Sequence, residues 1–200
     1  MIYLIILGVI ILALGFSVKK TNSPLTQYGG IVKTVGITVI IIASVLASVV
    51  QINPGEIGVQ KLFGKVNNNI LESGLNLVNP LVEVVNFDVK TQNYTMSAVQ
   101  DEGSKSGDDA IRVLSADGLE VIIDLTVLYK VVPTEAPRIL QEIGTDYINT
   151  IVRPICRTKI RDNAVYYDAV ALYSTKRDEF QGRIFAGIEK DFKARGLLLE

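Results

Sequence analysis

Arg153, Arg157 and Arg161 recur every fourth residue within an apolar-periodic stretch, and so would line one side of a helix as a basic stripe. Such a stripe could bind a neighbouring subunit or lipid headgroups; the favoured reading is a solvated face paired with nearby acids. Other chemistry-bearing residues are scarce. The 200 residues include no histidine and a single cysteine, Cys156. Without histidine there is no Ser-His-Asp or Cys-His nucleophile system and no ordinary zinc site. A lone cysteine forms no intrachain disulfide, and Cys156 reads as a small buried apolar residue. No Walker or dinucleotide glycine motif is present. A hydrolase working through Lys and Ser is the remaining enzymatic alternative. The expectation is a non-enzyme, with no catalytic residue, metal site or cofactor.

Charge narrows the partners. Lys19, Lys20 and Lys33 are the only charges before residue 53, so all 21 acids and all but three of the 20 bases come after it. That later part is net acidic by four, which argues against a nucleic-acid binder and against a domain held to anionic lipid mainly by charge.

Two N-terminal stretches are apolar all round, which no ordinary surface helix requires. Ile31 to Val50, IVKTVGITVIIIASVLASVV, is long enough to cross a hydrocarbon core. Ile2 to Val18, IYLIILGVIILALGFSV, would span roughly 25 Å, at the short end for a membrane helix. A secretory signal carries its positive charges before the apolar run; here Lys19 and Lys20 come after it and no small-x-small cleavage site appears. It is read as an uncleaved anchor. The polar connector from Lys19 to Gly30 holds the lysines, which favours a cytoplasmic connector. The N-terminus and everything after Pro54 then face the other side, the periplasm in a two-membrane bacterium. A re-entrant hairpin returning to one face is the competing geometry. In the second stretch Ala43/Ala47 and Ser44/Ser48 have the small-xxx-small spacing of close helix contacts, unless small residues are simply tolerated there.

The chain therefore divides into a first membrane segment and loop (1–30), a second segment (31–52) and a folded domain (53–200). In the domain, strands are expected at Ile57–Leu62, Gly74–Pro80 and Val82–Thr91, the last continued by Tyr94–Met96, with a polar turn at Asn67–Asn69. Residues 100–109, QDEGSKSGDD, read as an exposed hairpin tip. Asp117-Gly118 suits a two-residue type I′ turn between Ile111–Ala116 and Leu119–Val131, whose odd positions are apolar and whose even positions are mostly polar. Thr134 would cap a short helix ending at Gly144, and Thr145 or Asp146 a longer one to Asp162 that Pro154 must kink or split. That helix's core stripe is read as Ile148, Ile151, Val152, Ile155 and the stem of Lys159. A last helix from Ser174 or Thr175 to Ala194, stopped by Gly196, carries Phe180, Ile184, Ile188 and Phe192, with Phe185 widening the stripe. Leu197–Leu199 begins another strand, so the sequence is expected to stop short of a further element.

In their order and spacing, PGEIGVQKLFGKV (54–66), SGLNLVNPLVEVVNFDVKTQ (73–92) and SADGLEVIIDLTVLYKV (115–131) resemble the SPFH, or band 7, superfamily of stomatin, prohibitin, flotillin and bacterial HflK/HflC-type proteins. IGTDYINTIVRPICRTKIRDNAVYYDAVALYSTKRDEF (143–180) resembles the prohibitin branch. The resemblance implies an α+β domain with an antiparallel-rich sheet and packed helices lying on the bacterial inner membrane. It also implies a downstream coiled-coil helix and closed rings of many copies, alone or with a related chain. Such rings enclose a membrane patch and often hold or regulate membrane-bound AAA proteases. Two apolar segments depart from the single anchor or hairpin of many relatives. The family has no agreed catalytic residues to carry over. The alternative function is an accessory subunit or adaptor of a membrane protease or transport complex, without a cage.

Overall fold

The computed structural model describes residues 2–18, 29–99, 102–105 and 107–200. Lys19, Lys20 and the connector through Tyr28, and Gln100, Asp101 and Ser106 of the polar loop, lie outside the described residues. The chain forms two compact units.

The first unit comprises the chain up to Pro54 together with Glu72–Glu83. Helices α1 (Ile2–Val18) and α2 (Gly29–Ala47) lie antiparallel in it. The second apolar segment leaves the helix earlier than its composition suggests. Val49 and Val50 belong to a strand, β1 (Val49–Ile52), rather than to the helix. Their branched side chains favour extended backbone, and Ser48 closes the helix by donating its hydroxyl to Ser44 O at 2.8 Å.

The second unit holds Gly55–Leu71 and Val84–Glu200. Strands β2 (Glu56–Leu62) and β3 (Lys65–Leu71) form a hairpin around Phe63 and Gly64, both with positive φ. Asn67–Asn69, expected as a turn, lie inside β3, an exposed edge strand, at the point where its register with β2 shifts between Val66 and Ile70; the turn preference survives locally, Asn67 Oδ1 accepting Asn69 N–H at 3.1 Å. Strand β4 (Gly74–Leu77) pairs with β1 inside the first unit. β5 (Glu83–Asp88) flanks β2 on its other side, while β6 (Gln92–Met96) belongs to a separate sheet. Strands β7 (Ile111–Leu114) and β8 (Glu120–Ile123) pair with one another, and β9 (Leu125–Val131) pairs with β6 and with β10 (Leu197–Leu199). The alternation expected over 119–131 holds for the buried Val121, Val127, Tyr129 and Val131, with a break at Asp124 between β8 and β9; Leu119 is exposed.

The β7–β8 turn is not the two-residue type expected. Gly118 N–H donates to Ser115 O and Ser115 N–H to Leu119 O, with φ positive only at Gly118. This is a three-residue loop with a glycine bulge, in which the Ser115 hydroxyl accepts from Leu119 N–H at 3.1 Å.

Helix α3 (Ala136–Glu142) comes after a single tight turn at Pro133–Glu135, and no side-chain cap from Thr134 starts it. Gly144, at φ +92, ends it. The chain then makes a wide turn of π-helix at Ile148–Val152 and continues as α4 (Arg153–Ala164), with Pro154 in its first turn. Proline has no N–H to donate, and it stands just after Arg153, whose N–H reaches Ile148 O, where the hydrogen-bond ladder passes from π to α spacing. The wide turn rotates α4 relative to a continuous α-helix, so the buried stripe is Val152, Cys156, Ile160 and Ala164. Ile155 is only half-buried, and Lys159 pairs with Asp191 at 2.8 Å. After the short α5 (Ala169–Tyr173), α6 (Arg177–Ala194) begins later than the serine and threonine suggested. It buries Phe180, Ile184, Ile188 and Phe192 and leaves Phe185 exposed. Phe192 meets Tyr129 edge to face with ring centres 6.2 Å apart.

Candidate functional site

With no histidine and one buried cysteine, the parts with functional geometry are surfaces and packing contacts. In the first unit, α1 and α2 touch at their glycines. A Cβ on Gly36 would lie 2.9 Å from Leu12 N, and one on Gly8 would lie 2.7 Å from Ile40 Cγ1. Toward the end of α1 and the start of α2, the Lys33 ammonium sits 4.0 Å from the centre of the Phe16 ring. Glycine on a membrane-type helix lets backbones approach closely and gain dispersion contacts where no hydrophobic effect operates. Of the small residues expected to pack, Ala43 is 1% exposed, while Ser44, Ala47 and Ser48 are half-buried. The glycines themselves escaped the sequence reading, although Gly36 and Ala43 are seven apart, one heptad along the same face. The outward positions, Ile37, Ile41 and Val45 among them, are exposed hydrocarbon. Among the described residues one helix, over Gly30–Ala47, is long and apolar enough to cross a membrane; α1 has 17 residues.

The ribbon after α2 extends this apolar character. Val49 lies opposite Leu77 and Gln51 opposite Leu75, so these four share one face. Leu75 is 76% and Leu77 80% exposed, and Leu81 beyond the strand is also exposed. The other face carries the buried Ile52. Leu75 and Leu77 stand exposed together on one side of the ribbon.

In the second unit the arginine stripe divides. Asp109, placed by sequence in an exposed tip, is 4% exposed. Arg153 grips its carboxylate with two N–H groups, one of them Nε at 3.2 Å. Arg157 Nη2 donates to the same carboxylate at 2.8 Å and to Asp109 O at 2.7 Å. Tyr94 donates to Asp109 Oδ2 at 3.4 Å. The Arg153 hydrogen bond holds the Asp109 carboxyl below its ordinary range against the opposing effect of burial. Burial and the Asp109 charge push the Tyr94 phenol up. Arg161 is exposed and makes no ion pair among the described residues. Residues four apart on a helix drift by about 40° each step, so the third arginine turns away from a partner the first two share. Arg153 and Arg157 are thus committed within the molecule, tying the polar loop to α4. The loop's buried aspartate left no periodic signal, since it stands in a run of charges.

Burial pushes the Cys156 thiol up to about 12, far from a reactive thiolate. Among the described residues, no cluster of three or more His, Cys, Asp or Glu could hold a metal ion.

No curated protein matches the chain. The family model described as SPFH domain / Band 7 family matches residues 50–200, from β1 to the last strand. That match covers well over half of the sequence, joins the ribbon, the antiparallel sheets and the packed helices in one description, and shows that the chain belongs to the SPFH domain / Band 7 family, whose members are generally membrane-associated scaffolds.

Proposed function

We propose that this chain is a non-enzymatic membrane scaffold of the prohibitin-like, bacterial branch of its family. Both α1 and α2 cross the inner membrane, and the domain after Pro54 faces the periplasm. Copies, alone or alternating with a related chain, pack side by side into a closed ring. The ring encloses a membrane patch and limits which proteins and lipids reach it, membrane-bound AAA proteases included. Its mechanism is geometric: anchors fix each copy in the bilayer and domain walls exclude or retain neighbours.

The observation that supports this reading best is the helical hairpin itself. Its inner face is closed by Gly8 and Gly36 and its outer face is exposed hydrocarbon. Water would penalise that outer face, whereas acyl chains are a matching solvent. At about 1.5 Å per residue, 17 and 19 residues reach roughly 26 and 28 Å, close to a hydrocarbon core. The exposed leucines of the β1–β4 ribbon continue the apolar surface beyond α2. The test is carbonate washing of native membranes, then electron microscopy of the particle extracted in mild detergent. Retention in the membrane and a megadalton ring are expected. A carbonate-soluble chain overturns the anchor, and a small one-to-one complex overturns the ring in favour of an adaptor.

A further inference from the structure

A groove of about 550 Å³ in the second unit lies between the backbone stretch Val121–Thr126 and one face of α6. The helix contributes Arg177, Phe180, Gln181 and Ile184, the spacing of a single helical face. Val121, Ile160, Phe180 and Ile184 make the buried apolar floor.

Two features of the groove wall are unfinished. The first is a strand edge. β8 pairs with β7 alone among the described residues. Ser115 N–H bonds Leu119 O at the mouth of that hairpin, so the hydrogen-bonded pairs run through 113–121 and 111–123. Antiparallel alternation then turns the N–H and C=O of Ile122 outward, away from β7. The second feature is a cation. Arg177 is exposed on the groove and makes no ion pair among the described residues. The groove's own acid, Asp124, is occupied, since it accepts Ala98 N–H at 3.0 Å. An open edge asks for a strand, an apolar floor for alternate apolar side chains, and a lone guanidinium for a carboxylate.

We propose that this groove takes an extended segment of a partner protein that adds as a strand to the β8 edge and pairs a carboxylate with Arg177. Main-chain bonds to Ile122 supply binding that is indifferent to sequence. The floor selects apolar residues at every second position, and Arg177 selects an acidic residue at one end of the segment. The recognition does not depend on ring formation, because every contact lies within one copy.

The experiment uses the full chain in mild detergent and an array of heptapeptides with apolar residues at alternate positions and one Asp or Glu at either end. A subset is expected to bind. Each binder should lose about tenfold or more in affinity when its acid becomes Asn or Gln, and likewise with Arg177→Gln, as expected for a charge-assisted contact. N-methylation of the peptide amides at alternate positions should abolish binding in one register and spare it in the other. Ile122→Pro, which removes an outward N–H that β7 does not use, should weaken all binders alike. The proposal falls if acidic peptides bind no better than their amide counterparts, or if both N-methylated registers bind unchanged. It also falls if a photo-crosslinker at Gln181 joins two copies of this chain, because a second copy then fills the groove. Peptide affinities are read on particles of any size, so failure of the ring reading leaves them standing.

Discussion

Gly36 of α2 and Leu12 of α1 meet with no room for a side chain between them: a Cβ on Gly36 would stand 2.9 Å from Leu12 N. The obstacle is backbone, which does not swing aside as a flexible side chain would. Gly36 therefore makes a contact that only glycine permits; at Gly8 of the other helix the atom nearest to a Cβ is a side-chain carbon, Ile40 Cγ1 at 2.7 Å, with Ile40 N at 3.3 Å.

Gly36→Ala should destabilise the hairpin by about 1–3 kcal/mol, the usual cost of overpacking. Gly30→Ala is the control, since nothing lies within 4 Å of its Cβ position. There alanine should be neutral or stabilise by up to about 1 kcal/mol through helix propensity. Thermal unfolding of the detergent-solubilised chain, tracked by circular dichroism, separates the two.

Asp109→Asn should cost about 3–5 kcal/mol, because it leaves Arg153 and Arg157 around a partner without charge. Arg161→Ala, on the same helix, should fall within about 0.5 kcal/mol of the parent. Denaturant midpoints at pH 7 measure both.

The same carboxylate gives a pH dependence. Its pKa is depressed in the folded state, so its contribution is complete above the unfolded value of about 4. It is lost as pH falls through the lower folded value. Stability of the parent should drop below about pH 4 more steeply than that of Asp109→Asn, when midpoints are measured across the acid range.

Cys156 should resist iodoacetamide at pH 8 in the native chain and react once it is unfolded, because its thiol is buried and held near 12. Mass spectrometry of the alkylated chain gives the count directly. Labelling of the folded protein would contradict the packing of Cys156 on α4.

Because Cys156 is shielded, single introduced cysteines can be labelled without background. An environment-sensitive dye on Leu77→Cys should shift to the blue in phospholipid vesicles, if the exposed leucines of β4 meet lipid. The same dye on Lys105→Cys, in the polar loop, should not. Equal spectra from both positions would remove the ribbon from the membrane contact.

Much of the fold was legible because its signals are local. Apolar runs marked α1 and the body of α2, period-two alternation marked β9, and a four-apart stripe marked α6. Glycine after a helix marked the ends of α3 and α6. The misreadings share a cause. Asn67–Asn69 look like a turn, but β2 pairs with β3 on both sides of them, at Val66 and Ile70, and carries the strand through the irregularity; Val49 and Val50 look like membrane helix until β4 pairs with β1. Asp117-Gly118 looked like a two-residue turn, but the Ser115 hydroxyl and the Ala169 N–H, which donates to Asp117 at 3.1 Å, hold a longer loop. For β1 and for the Asp117 loop, a neighbour distant in sequence settled a choice that local propensity left close to even.

By itself the sequence determined that two apolar N-terminal segments precede an α+β domain without histidine, because composition and periodicity are properties of the chain alone. Only the tertiary structure decided what its charges and glycines do. A helix repeating every 3.6 residues cannot keep three arginines, four apart, on one partner, and the π-turn before Pro154 fixes which two reach Asp109. Likewise the spacing of small residues announces that helices can approach, but which backbone stands opposite Gly36 is set by how the hairpin closes.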